Sequence, residues 1–304
     1  MSTVLAARSA APAAAPSTAA VAWSLARVEA RRTLRNPFLP LGLGFALWLL
    51  WEIDPRTEQW SGGSYEGMSM SSVSLMWGLS VAAAFAFHRE RLPVAVGAPV
   101  PEVVRVLARL VAMVPLLGLA GAFAALVAWR ERALGGLPIG TEPGRTTDAL
   151  HTAPELFQHV ALGLLAIAIG AVLGRRMRHL AAVIPLVFLL WWVAGAFYWL
   201  YGNPVVTPFS LVQVQPILVI VGPSEANPLA FPDSWLLSPP GEYQDGWGRL
   251  FVSASLAWWH NAYLLGVALL LLAGAWPRPG RRTLLAAGAI LAVAGVVGQF
   301  QVIP

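Results

Sequence analysis

The sequence predicts an all-α fold, a polytopic bundle of six to seven transmembrane helices with its N-terminus in the cytoplasm. Three observations predict it. Of 304 residues, 57 % are apolar and only 12 % charged, with a mean hydropathy of +0.65; soluble domains carry roughly 25 % charged residues. Seven apolar stretches punctuate the chain, most of them close to the ~20 residues that cross a hydrocarbon core. Arginine concentrates on alternate connecting segments, as the positive-inside rule requires of a multi-span protein.

The elements follow in order. Residues 1–20 are Ala, Pro, Ser and Thr around a single Arg8; with no uninterrupted apolar core they read as a disordered leader. Residues 21–36 differ. Val21, Leu25 and Val28 recur at helical spacing beside a stripe of Arg27, Arg31 and Arg35, which predicts an amphipathic helix on an anionic inner leaflet. Residues 37–304 form the transmembrane domain. Its apolar stretches run Phe38–Ile53, Ser69–Phe87, Val103–Trp129, Phe157–Gly174, Leu180–Tyr201, Leu256–Trp276 and Thr283–Ile303. Unpaired backbone groups are not tolerated in lipid, so each is expected to be helical. The first is short. The last is weakened by Gln299 and Gln301. From Pro101 to Trp129 one helix of roughly 43 Å is expected, kinked at Pro115; Pro185 does the same in the fifth span.

With the N-terminus inside, the inner segments hold 15 arginines and 3 acids, the outer segments 5 arginines and 12 acids. The longest outer loop, within 202–255, contains Thr207–Gly222, an apolar run broken by Gln213, Gln215 and Pro216. A re-entrant or surface-lying segment is expected there.

Several function classes are excluded. Cysteine is absent, so there are no disulfides, thiolate metal sites or cysteine nucleophiles; lysine is absent, so there is no P-loop lysine and no Schiff base. Apart from Glu52 at the very end of the first, no Asp or Glu lies within a proposed span, which argues against proton- or sodium-coupled transport. His151, Glu155 and His159 have the spacing of metal ligands on one helix face. Thr152 through Glu155 also reads as a capping box, which takes His151 off that face and is the preferred reading. His260 reads as an interfacial side chain. No metal site, catalytic residue or nucleic-acid partner is expected. Small residues at Ala166, Gly170 and Gly174, and at Gly288 and Ala292, offer stripes for close helix packing. Ser72, Met76 and Ser80 share a face of the second span, and Trp191, Phe197 and Tyr198 enrich the fifth; together they are the expected lining of a path for an amphipathic solute.

The most informative segment is the inner connection after the second span. Arg89-Glu90-Arg91 is followed by a short apolar segment from Leu92 to Val96, then by Ala98-Pro99-Val100, Pro101 and Glu102, and by a long third span in which Arg105 and Arg109 share a face. An apolar turn on the inner side needs a cover, and a protein partner would supply one. With the basic amphipathic opening helix and the large loop between the fifth and sixth spans, this order resembles the membrane subunits of ATP-binding-cassette transporters of the type-2 exporter class. The resemblance covers roughly residues 21–276. It departs from the family at Leu92-Pro93, where Gly-Thr is usual, in the long connection between third and fourth spans, and in a seventh span.

The resemblance implies a permease subunit in a bacterial inner (plasma) membrane. It pairs with a second permease subunit, identical or not, and with cytoplasmic ABC ATPase subunits that bind ATP and magnesium; this chain binds no cofactor. Arg89, Glu90, Arg91, Leu92, Val96, Pro99 and Glu102 would form the coupling loop, and the cargo would be a lipid, a drug-like metabolite or a glycan. Two rivals remain: a non-transporting scaffold or assembly protein, and a membrane transferase acting on lipid-linked substrates through Asp54, Asp148 or His151.

Overall fold

A computed structural model describes residues 17–57, 62–92, 100–138, 148–196, 207–220, 235–237 and 248–303. The fold is all-α, with two small antiparallel β elements at one end. Val96, Pro99, Phe197 and Tyr198 lie outside the described residues, as does most of the expected leader.

Helix α1 (Thr18–Leu34) starts three residues before the expected boundary because the Ser17 hydroxyl accepts the Ala20 N–H at 3.3 Å. Asn36 turns the chain, its Oδ1 accepting the Phe38 N–H at 3.0 Å, into α2 (Phe38–Glu52). The second span begins earlier than its apolar stretch. A short α3 (Gly63–Met70) leads through Ser71 and Ser72 into α4 (Val73–His88).

The single long third helix expected from Pro101 is two helices, α5 (Glu102–Ala112) and α6 (Val114–Leu134). Pro115 has no N–H to give to the carbonyl of Val111. The Met113 N–H bonds Leu110 O at 3.0 Å in a tighter turn, and the axis is interrupted there. Helix α6 stops at Gly135, whose φ of +88° suits glycine.

Helix α7 (Ala153–Arg176) opens on the expected capping box: Glu155 Oε2 accepts the Thr152 backbone N–H at 2.8 Å. Helix α8 (Leu180–Ala196) carries Pro185 inside it. Helices α9 (Ala254–Ala275) and α10 (Arg281–Val302) follow.

Helices α4 and α7 are the centre. A Cβ on Gly170 or Gly174 would strike the backbone of α4 at Ser80 and Ala84, so the expected small-residue stripe is the surface on which these helices meet. Gly288 and Ala292 of α10 meet α9 at Gly266 in the same way.

Thr207–Ile220 holds no helix beyond a 3₁₀ turn at Thr207–Phe209, and Val212, Gln213, Val214 and Gln215 after it are buried in the protein. The Gln215 side chain donates to Ser253 O at 3.0 Å. The segment ends in β3 (Ile217–Ile220), which pairs antiparallel with β5 (Gly248–Ser253), itself paired to β4 (Trp235–Leu237). Strand pairing satisfies backbone groups that a Pro- and Gln-broken helix would leave open. A hairpin of β1 (Leu137–Pro138) and β2 (Asp148–Ala149) lies between α6 and α7.

Five helical segments are long and apolar enough to cross a membrane: Gly63–Arg91, Glu102–Leu134, Ala153–Arg176, Ala254–Ala275 and Arg281–Val302. Two shorter apolar helices, Phe38–Glu52 and Leu180–Gly195, bring the possible spans to seven. Phe45 and Trp48 on α2, Phe188 and Trp192 on α8, and Ile290 and Val293 on α10 are exposed. In water, such continuous apolar faces would be a liability; against lipid they are the expected surface.

Candidate functional site

Three clusters of functional side chains stand out: a charged clamp at one end, an apolar cleft in the side, and a polar cluster at the opposite end.

The clamp is built on the elbow between α4 and α5. Arg89–Arg91 is a single 3₁₀ turn. It points Glu90 inward, where the guanidinium of Arg105 grips it at 3.1–3.3 Å and Arg109 pairs with it as well. The i, i+4 spacing of the two arginines puts both on one face of α5. Arg89 pairs with Glu29 of α1, which also lies 4.0 Å from Arg109. Arg91 donates to Arg176 O at 2.8 Å, and Arg175 pairs with Glu102. Four helices, α1, α4, α5 and α7, are thus tied at one end. Of the expected coupling residues Glu90 is buried and Arg89 is half-buried in an internal pair. Arg91, Leu92 and Glu102 remain on the surface, Leu92 with 47 % of its area exposed.

The cleft, of about 800 Å³, lies between α2, the α3–α4 pair and α8. Phe45 and Leu49 form one wall, Met70, Ser74 and Trp77 the floor, and Phe188, Trp191 and Trp192 the other wall. Trp77 is held edge-on between Phe38 and Phe188, at 5.5 and 5.8 Å between ring centroids. The buried hydroxyl of Ser74 has no partner among the described residues.

Ser72, Met76 and Ser80 do not line this cleft. All three are buried within the bundle: Ser72 bonds His159 Nδ1 of α7 at 2.8 Å, and Ser80 accepts from Trp191 Nε1 at 2.9 Å. The periodicity of that face is right; α7 covers it. The open face is Met70, Ser74 and Trp77, offset by two to three residues, and Trp191 reaches both.

At the opposite end, His151 Nδ1 is 2.6 Å from Glu131 Oε1, and Glu131 Oε2 accepts the His151 backbone N–H at 3.1 Å. Ser69 Oγ is 2.9 Å from His151 Nε2. The Tyr65 ring stacks on the imidazole with centroids 3.8 Å apart, and its hydroxyl donates to Glu155 at 3.0 Å. Burial disfavours the His151 imidazolium, but the hydrogen bond to Glu131 and the charges of Glu155 and Glu131 outweigh it and raise the pKa above the ordinary histidine value of 6.5. The capping box occupies Glu155, and no three metal-ligating side chains gather among the described residues. His260 is not interfacial. It is fully buried, with Nδ1 3.0 Å from Gln299 Oε1, and Gln299 also accepts from Gln213 at 3.1 Å. The glutamine expected to weaken the last span instead fastens its end to the buried strap.

Sequence reasoning missed Glu131 and Ser69, because each belongs to a different element from His151; the Arg130-Glu131-Arg132 run read only as outer charge. No family model, curated protein or solved structure matches the chain.

Proposed function

We propose that the chain is the permease subunit of an ABC exporter in a bacterial inner membrane. It would work with separate ATPase subunits that bind ATP and magnesium, and with a second permease subunit, to move an amphipathic cargo such as a lipid, a drug-like metabolite or a glycan carrier. The observation that carries this reading is the cleft between α2, α4 and α8. Its rim residues Phe45, Phe188 and Trp192 are exposed on faces suited to lipid, so hydrocarbon can enter sideways.

The clamp supports the same reading. It braces the elbow against α1, α5 and α7, so a push on the exposed Arg91–Leu92 tip is passed along α4, the helix that ends in the elbow and lines the cleft. A partner can drive the exchange only if it touches the tip differently in its two states.

Co-expression with an ABC ATPase from the same genome tests this. The wild-type pair is expected to co-purify, and cargo to stimulate its ATP turnover. Trp77→Ala should abolish stimulation and keep the pair intact; Arg91→Glu with Leu92→Asp should separate it. A wild-type chain that captures no ATPase overturns the proposal.

A further inference from the structure

Ser69, His151 and Glu131 come from the last turn of α3, the approach to α7 and the last turn of α6. Nothing local forces them together, yet Ser Oγ, both imidazole nitrogens and a carboxylate stand in line at 2.9 and 2.6 Å. A carboxylate only accepts, so Nδ1 carries a hydrogen toward Glu131. In the neutral ring Nε2 is then the acceptor of the Ser69 hydroxyl proton. Glu131 holds the imidazole side through one oxygen and the His151 backbone through the other, and Tyr65 stacking fixes the ring plane. Glu131 and Ser69 are both buried, at 1 % and 6 % exposure, so the relay sits inside the protein with Ser69 the less deeply buried of the two.

We propose that Ser69, His151 and Glu131 are a nucleophilic acyl-transfer site, with Ser69 as nucleophile, His151 as general base and Glu131 as its positioning residue, acting on a neutral carboxylic ester. Ser69 Oγ attacks the ester carbonyl carbon and its proton passes to His151 Nε2. The carbon–oxygen bond to the alcohol breaks, and the alcohol leaves with that proton. Water or a second alcohol then gives its proton to Nε2 and attacks the acyl-Ser69 carbonyl; the bond to Ser69 Oγ breaks as Nε2 returns that proton to it, leaving free Ser69 and an acid or a new ester.

The substrate class follows from the surrounding charge. Glu131 and Glu155 make the site acidic, and the flanking arginines are committed elsewhere: Arg130 to the carbonyls of Leu50, Trp51 and Ile53, Arg132 to Ala128 O. Among the described residues, neither flanking arginine is left to hold a phosphate or carboxylate near the reacting bond. This site is separate from the cleft and does not depend on the exporter reading.

Treating the full detergent-purified chain with a fluorophosphonate tests the assignment. The expected result is a covalent adduct on the peptide containing Ser69, lost in Ser69→Ala. Its rate should fall by about 10²–10⁴-fold in His151→Gln and by a smaller factor in Glu131→Gln. The groups facing His151 are Tyr65 from α3, Glu131 from α6, and Glu155 and His159 from α7. Because the acids favour the imidazolium, labelling should rise with pH through a midpoint above 6.5. Tyr65→Phe keeps the relay and should keep labelling. A monodisperse wild-type chain that forms no adduct, or an adduct that persists in Ser69→Ala, overturns the proposal.

Discussion

The two ends of the bundle bury polar groups by opposite means. At the arginine-rich end, three guanidinium groups from α5 and the elbow close on two carboxylates, Glu29 and Glu90. At the other end an imidazole, a phenol, hydroxyls and amides share hydrogen bonds with Glu131 and Glu155. Arginine does not give up its proton, so the cations of the first arrangement are fixed and it behaves as a strut. The second is made of groups that exchange protons. The first arrangement suits a rigid mechanical link and the second suits proton exchange.

The largest expected effect tests the strut. Glu90→Gln leaves Arg105 and Arg109 with a neutral partner inside the protein, and losing one member of a buried pair costs about 3–5 kcal/mol. Thermal unfolding in detergent should show it; a loss below about 1 kcal/mol would show that the cluster is only a solvated face. Next is the seam both ends share. Gly174→Val pushes a branched side chain into the α4 backbone, and overpacking of this kind costs about 1–3 kcal/mol.

A smaller, pH-dependent effect separates the two ends. The folded-state pKa of His151 lies above its unfolded value, so its contribution to stability is complete below about pH 6.5 and is lost as pH rises through the folded value. Wild-type melting temperature should therefore fall relative to His151→Gln on going from pH 6 to pH 9. No such difference is expected between wild type and a conservative clamp variant, Arg105→Lys. The smallest effect on stability, within about 0.5 kcal/mol, belongs to Arg91→Glu with Leu92→Asp, read by melting in detergent. Arg89→Glu is a poorer probe of docking, since it also breaks the pair with Glu29.

The sequence revealed what is local. The capping box of Thr152 and Glu155, a disturbance of the third span at Pro115 (expected as a kink, found as a break) and the shared face of Arg105 and Arg109 all depend on residues within a turn or two. The glycine stripe of α7 was legible as a close-packing surface, but its partner α4 was not, because periodicity names a face without naming its neighbour. The same gap misplaced Ser72, Met76 and Ser80, whose face is as regular as the one that borders the cleft. Acids that answer distant bases, Glu29 for Arg89 and Glu131 for His151, leave no mark at fixed spacing. The three-stranded sheet was hidden too, since an apolar run near a membrane scores alike whether it is a helix or a strand.

Helix α2 carries one more consequence. Its fifteen residues span only about 22 Å, and the guanidinium of Arg130 ties down the carbonyls at its far end. A bilayer some 30 Å thick in its oily middle must pinch inward to meet so short a wall. Under the proposed lipid export, the compressed lipids beside α2 would be the ones whose tails leave the membrane most readily.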